Sequence, residues 1–203
     1  MALRTLFVTR LYEDSLAGEP DFERFNADLA EACRAIAVQD GAGQAWCRDN
    51  AYGGYTSYAS LNDLTRRDSL FDELRRRLDR HVTAFAKALS LDLDKRLKLD
   101  SLWINILRPG AAHSGHIHPH SVISGTVYVA VPPGSSALKL EDPRLPMMMA
   151  APKRSADAPP EDQTFVSLTP APGTVLLWES FLRHEVPANA AKTDRISLSF
   201  NYG

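Results

Sequence analysis

Gly110-Ala-Ala-His-Ser-Gly-His-Ile-His-Pro-His-Ser-Val-Ile-Ser-Gly-Thr-Val-Tyr-Val129 contains four of the six histidines of this 203-residue chain. His116, His118 and His120 share one parity, so in an extended strand their rings would leave the same face. The flanks read as strands, Leu102-Trp-Ile-Asn-Ile-Leu107 before and Val127-Tyr-Val-Ala-Val131 after. Neutral imidazoles offered together from a rigid strand suit iron, zinc, copper or nickel. The bland alternative is a solvated histidine-rich loop. A further ligand from a remote part of the chain would decide between them.

Composition sets wide bounds. The chain is 44% apolar and 24% charged, with a formal charge of −2. These are ordinary globular values, and no basic excess points to nucleic acid. Cys33 and Cys47 have neither metal nor redox spacing, which fits a reducing compartment. No apolar run approaches membrane-spanning length and no signal-peptide pattern opens the chain, so a cytoplasmic protein is expected.

Upstream of the histidines, Leu3 to Leu11 is β-rich and predicts an opening strand. From Pro20 or Asp21, the residues Phe22, Phe25, Leu29, Cys33 and Ile36 recur at helical steps. Residues 40–60 mix Gly41, Gly43, Gly53 and Gly54 with Trp46, Tyr52, Tyr55 and Tyr58, and predict a long loop with aromatic anchors. A second helix is expected over Ser69–Leu89, with Phe71, Leu74, Leu78, Val82, Phe85 and Leu89 buried. Arg75, Arg76, Arg77 and Arg80 would form its solvated face, with His81 at the boundary.

From Leu97 the pattern turns to about eight short strands. Helices followed by a run of strands predict an α+β, mainly β fold with the helices on one face of a sandwich or barrel. The proline-rich interval 142–162 has no period and reads as a long connection, a candidate lid like 40–60. We expect one domain over 1–203, with 1–96 a helical buttress plus first strand and 97–203 the barrel core.

The remote partner is His184, which follows the buried strand Thr174–Trp178 and opens another short one. Two histidines on one β element and a third much later match the mouth of a jelly-roll metalloenzyme. In the last strand, Arg195-Ile-Ser-Leu-Ser-Phe-Asn201, the apolar set Ile196, Leu198 and Phe200 should face the helices. That turns Arg195, Ser197, Ser199 and Asn201 inward. A buried arginine needs an anion, either a bound carboxylate or one of Glu141, Asp142 and Glu179.

In these segments the chain resembles the small 2-oxoglutarate/Fe(II)-dependent oxygenases. The residues are Trp103-Ile-Asn105, His116-Ile-His-Pro119, Ser124-Gly-Thr-Val-Tyr-Val129, Asp142-Pro-Arg144, Pro172-Gly173, Trp178 to Val186, and Arg195 to Asn201. The resemblance implies a double-stranded β-helix (jelly-roll, cupin-like barrel) with N-terminal helices packed on one sheet. It implies Fe(II) on His116, His118 and His184, and 2-oxoglutarate gripped by Arg195 and Ser197. Asn105 and Tyr128 are candidates for the cosubstrate pocket by parity alone. The activity implied is hydroxylation of a substrate that the sequence does not name, with release of succinate and CO2.

One position departs from the wider superfamily, which places a carboxylate where His118 stands. The pair His118/His120 satisfies the same parity. His116/His118 is preferred because Pro119 cannot donate to a ladder and should end the strand. Two other readings stay open: a three-histidine cupin-type dioxygenase independent of 2-oxoglutarate, and a non-catalytic metal-binding barrel.

Overall fold

The computed structural model of the protein describes residues 1–203. It is a mixed α and β fold with two antiparallel sheets and three α-helices. The larger sheet runs β1 (Leu11–Ser15), β8 (Thr174–Glu179), β5 (Ile123–Ala130), β10 (Arg195–Tyr202), β3 (Leu99–Leu107), β2 (Tyr55–Thr56). The smaller runs β4 (His113–His116), β9 (His184–Val186), β6 (Leu138–Glu141), β7 (Phe165–Leu168).

The alternation along β10 places the two faces of the large sheet. Ile196, Leu198 and Phe200 are fully buried with Val127, Val175 and Leu177 from neighbouring strands. Against this face lie helices α1 (Phe22–Gln39) and α3 (Ser69–Ala88), through Phe22, Phe25, Leu29 and Cys33 and through Phe71, Leu74, Leu78, Val82 and Phe85. Both stripes follow the 3.6-residue period of the sequence. The opposite parity, Tyr128, Leu176 and Trp178, packs with Leu138, Leu140 and Leu182 of the small-sheet side as a second cluster. A cavity lies between these layers.

Several expectations need correction. Residues 3–10 are not a strand; Leu3, Leu6 and Phe7 are exposed, and β1 starts at Leu11, opposite Trp178. Strand propensity marked a run, but pairing with the six-residue β8 selected which part of the neighbourhood is extended.

Residues 40–60 are not one long loop. Gly41–Asp49 forms helix α2, capped by the Asp40 carboxylate accepting from Gly43 N at 2.9 Å. Two glycines in the first turn hid a helix that its cap specifies. Gly54 has a different purpose: a Cβ there would lie 2.1 Å from the Ile106 carbonyl oxygen, so only glycine lets this segment close onto β3. The interval 142–162 carries two short 3-10 turns and otherwise no regular structure.

Arg77 is not on a solvated face. It is 9% exposed, ion-paired with Glu19, Asp21 and Glu73, and stacked 3.9 Å over the Phe25 ring. His81 is likewise buried, its Nδ1 2.9 Å from the Tyr12 hydroxyl. Arg77→Met should therefore lower the melting temperature, because three carboxylates lose their common cation, by less than a fully buried pair would since each is 25–41% exposed. Hydrogen bonding from Arg77 holds the Asp21 carboxyl below its usual range. A depressed carboxylate stabilises above its unfolded pKa of about 3.9 and loses that contribution as pH falls through the folded value. Melting curves of the variant should thus differ most from wild type at neutral pH and converge in acid. Equal melting at pH 7 would refute a structural role for this cluster.

Candidate metal centre

β4 ends at His116, so His118 is not on a strand as its parity suggested. It lies two residues beyond, where its backbone N–H donates to the Ser180 carbonyl at 3.0 Å. His184 begins β9 directly opposite His116. Pairing of the two short strands thus brings two imidazoles together, and the irregular segment after β4, held by the His118 N–H bond to Ser180, brings the third to them. One ring nitrogen from each of His116, His118 and His184 lies within 4.8 Å of the other two. His120 is exposed, at φ +69°, and is not in the group.

Each of the three rings has its Nδ1 committed. His116 Nδ1 faces the Ser114 carbonyl at 2.8 Å, and His184 Nδ1 the Leu182 carbonyl at 2.9 Å. His118 Nδ1 faces Asn201 Oδ1 at 2.7 Å, which also accepts from the Ser124 hydroxyl at 2.8 Å. An acceptor oxygen requires Nδ1–H, so every Nε2 keeps its lone pair. Nε2 of His118 and of His184 are 3.3 Å apart. In these tautomers the two are lone pairs with no proton between them, an unfavourable contact unless a cation intervenes. Two nitrogens about 2.0–2.1 Å from one ion would be about 3.0–3.4 Å apart. The donor set fits a divalent transition metal.

Burial also keeps these rings uncharged. It lowers His184 to about 3 and His118 to about 4, with the neighbouring histidines adding to the effect, and it lowers His116 as well. His113, which the sequence did not single out as a site residue, stacks on His116 with ring centroids 4.5 Å apart. Its Nδ1 is 3.4 Å from the Tyr52 hydroxyl. Its shared stretch with His116 was the only signal for it.

The cavity behind the histidines is lined by Arg195, Ser197, Ser199, Tyr128, Asn105 and Trp178, among others. Arg195 is 2% exposed and forms no ion pair. Glu141 and Asp142 are instead paired with Arg183 and Arg144. One guanidinium N–H reaches the Ser197 hydroxyl at 3.4 Å, while Nε has no partner. The guanidinium lies over the face of the Tyr128 ring, 4.8 Å from its centroid, and the Tyr128 hydroxyl is also unpartnered. Asn105 reaches the cavity, but its Oδ1 accepts from Thr56 and its Nδ2 donates to Ser199. A buried cation with unmet donors thus lines the same cavity as three imidazoles that could hold a metal ion.

That class of site has a family. Residues 101–201 match the family model described as "Putative 2OG-Fe(II) oxygenase", and the chain belongs to that family. It is a 2-oxoglutarate-dependent oxygenase, with iron and 2-oxoglutarate as cofactor and cosubstrate. Solved structures share the fold. A prolyl-4-hydroxylase of Pseudomonas putida is 15% identical, with 96% of this chain and 92% of that one covered at a TM-score of 0.59. SnoN, a non-heme α-ketoglutarate dependent epimerase from nogalamycin biosynthesis, is 13% identical over 96% and 78%, with a TM-score of 0.66. HygX of Streptomyces hygroscopicus, solved with nickel and 2-oxoglutarate bound, is 16% identical over 97% and 83%, with a TM-score of 0.60. No curated protein matches the chain.

Proposed function

We propose that this oxygenase hydroxylates its substrate through a three-histidine iron site, consuming 2-oxoglutarate and releasing succinate and CO2. The observation that carries the reading is the pairing of two features in one cavity: three imidazoles that each bring one ring nitrogen within 4.8 Å of the others, and a buried arginine with no protein anion. In this reading His116, His118 and His184 hold the metal. Arg195 and Ser197 bind the distal carboxylate of the cosubstrate, with the Tyr128 hydroxyl as a further donor. Asn105, whose polar atoms are already engaged, shapes the pocket through Thr56 and Ser199. Iron, when bound, supplies the redox chemistry with dioxygen. The chain's own residues fix the ligands, hold the dicarboxylate and keep the cavity dry.

We further read the two sheets as the halves of a double-stranded β-helix, and 1–203 as one domain with 1–96 as buttress and 97–203 as barrel. In support, β1 and β2 pair with β8 and β3 of the larger sheet, and helices α1 and α3 share its core. Two buried, unpaired cysteines favour a reducing compartment such as the cytoplasm. No helix is long and apolar enough to cross a membrane.

The direct test is anaerobic titration of the Fe(II) form with 2-oxoglutarate, which should produce a visible charge-transfer band. Oxygen uptake that needs no 2-oxoglutarate would favour the cupin-type alternative instead. A second expectation concerns Asn201. Asn201→Ala removes the acceptor that fixes His118 and should weaken metal binding about 10–100-fold in chelator competition. Unchanged affinity would mean that the His118 tautomer is set elsewhere.

A further inference from the structure

With iron and 2-oxoglutarate bound as proposed for this oxygenase, a reading on which the inference rests, the cavity holds a charge that its own walls do not balance. None of the residues lining it is acidic. The three imidazoles are neutral ligands. Burial pushes the Tyr128 phenol up to about 12 and the Tyr52 phenol up as well, so neither supplies a phenolate at neutral pH. On adjoining strands Glu141 is turned to Arg183 and Glu185 to Lys139, and Glu179, which ends β8, is not among the residues lining the cavity.

A divalent ion and Arg195 together bring three positive charges, and the two carboxylates of 2-oxoglutarate return two. One positive charge is left in a buried space, where an uncompensated charge is costly. With a carboxylate in place of His118 the same set would be neutral.

A second, independent observation lies at the same end of the cavity. The Trp178 indole is 2% exposed, and its Nε1–H has no partner. Indole nitrogen only donates, so what it lacks is an acceptor. The ring packs against His184 with centroids 4.6 Å apart and edge-on to His118 at 6.3 Å. It therefore belongs to the metal end, whereas Arg195 stacks on Tyr128.

We propose that the substrate of this oxygenase is an anion, which places a carboxylate-like group at the metal end of the cavity and accepts a hydrogen bond from Trp178 Nε1–H. A neutral substrate would leave both the surplus charge and the donor unmatched.

The test uses 15N-labelled, zinc-loaded protein saturated with 2-oxoglutarate. Its three tryptophans, Trp46, Trp103 and Trp178, give three indole N–H resonances, assigned with Trp178→Phe. Sodium acetate is the probe and acetamide its neutral isostere. Acetate should move the Trp178 resonance downfield with 2-oxoglutarate already bound, at a Kd at least about tenfold below that of acetamide. Trp178→Phe should raise the acetate Kd about tenfold, as expected for one charge-assisted hydrogen bond, and change that of 2-oxoglutarate by less than about twofold.

Equal binding of acetamide would overturn the proposal. So would acetate that merely competes with 2-oxoglutarate, or a Trp178 resonance that moves on cosubstrate addition and no further. Failure of 2-oxoglutarate to bind would overturn the cosubstrate reading instead. Acetate against acetamide on the zinc protein alone would then still decide whether this end takes an anion. The titrations on unmutated protein decide the matter even if Trp178→Phe does not fold, the remaining two indoles being assigned through Trp46→Phe and Trp103→Phe.

Discussion

Arg195→Met is expected to weaken 2-oxoglutarate binding about 100-fold while leaving the ligand-free protein as stable as wild type or more so. Removing one partner of a buried, hydrogen-bonded charge pair costs about 2–5 kcal/mol of binding, and at about 1.4 kcal/mol per decade two decades lie within that range. The stability half of the expectation separates a ligand-binding arginine from a structural one. In the protein alone the Arg195 guanidinium meets a hydroxyl, an aromatic face and no carboxylate, and burial works against its charge. Exchanging an unpaired buried ion for an apolar side chain of similar length relieves that cost. Thermal melts with and without 2-oxoglutarate measure both halves. At a ligand concentration of about 100 times Kd, wild type should gain about 2.7 kcal/mol and the variant little. A ligand-free variant that melts far below wild type, with cosubstrate affinity intact, would assign Arg195 to the fold.

Loss of one histidine of the cluster should be as costly to the metal. Structural zinc sites yield about 10–16 kcal/mol over four ligands, so one ligand is worth roughly 3 kcal/mol, or about 100-fold in affinity. His184→Ala and His116→Ala should each show this in competition with a chelator. His120→Ala should show none of it, since that ring is exposed and its backbone turns away at positive φ. Should His120→Ala lose the metal and His116→Ala keep it, the ligand set is not His116, His118 and His184.

The contrast between His116 and His120, alike in parity, marks how far local pattern reaches. Alternation along Arg195–Tyr202 is a property of neighbouring residues. It sorted Ile196, Leu198 and Phe200 from Arg195, Ser197 and Ser199 because a pleated strand sends alternate side chains to opposite faces wherever it lies. The apolar stripes of α1 and α3 were legible for the equivalent helical reason. Parity was a poorer guide at His118, which lies past the end of β4 and is held by its N–H bond to the Ser180 carbonyl rather than by a pleat. Helical spacing also misread Arg77, whose place on an arginine-rich face gave no hint of three carboxylates converging on it, two of them from before α1.

By itself, then, the sequence determined the two long helices α1 and α3, the inward face of the last strand and the residues able to ligate a metal, since each depends on spacing along one segment. Only the tertiary structure decided that β4 meets β9, that all three Nδ1 atoms are spoken for, and that Arg195 Nε and Trp178 Nε1 have no partner. Those facts depend on which distant segments come into register, and an unmet donor is defined by everything around it, which no local pattern contains.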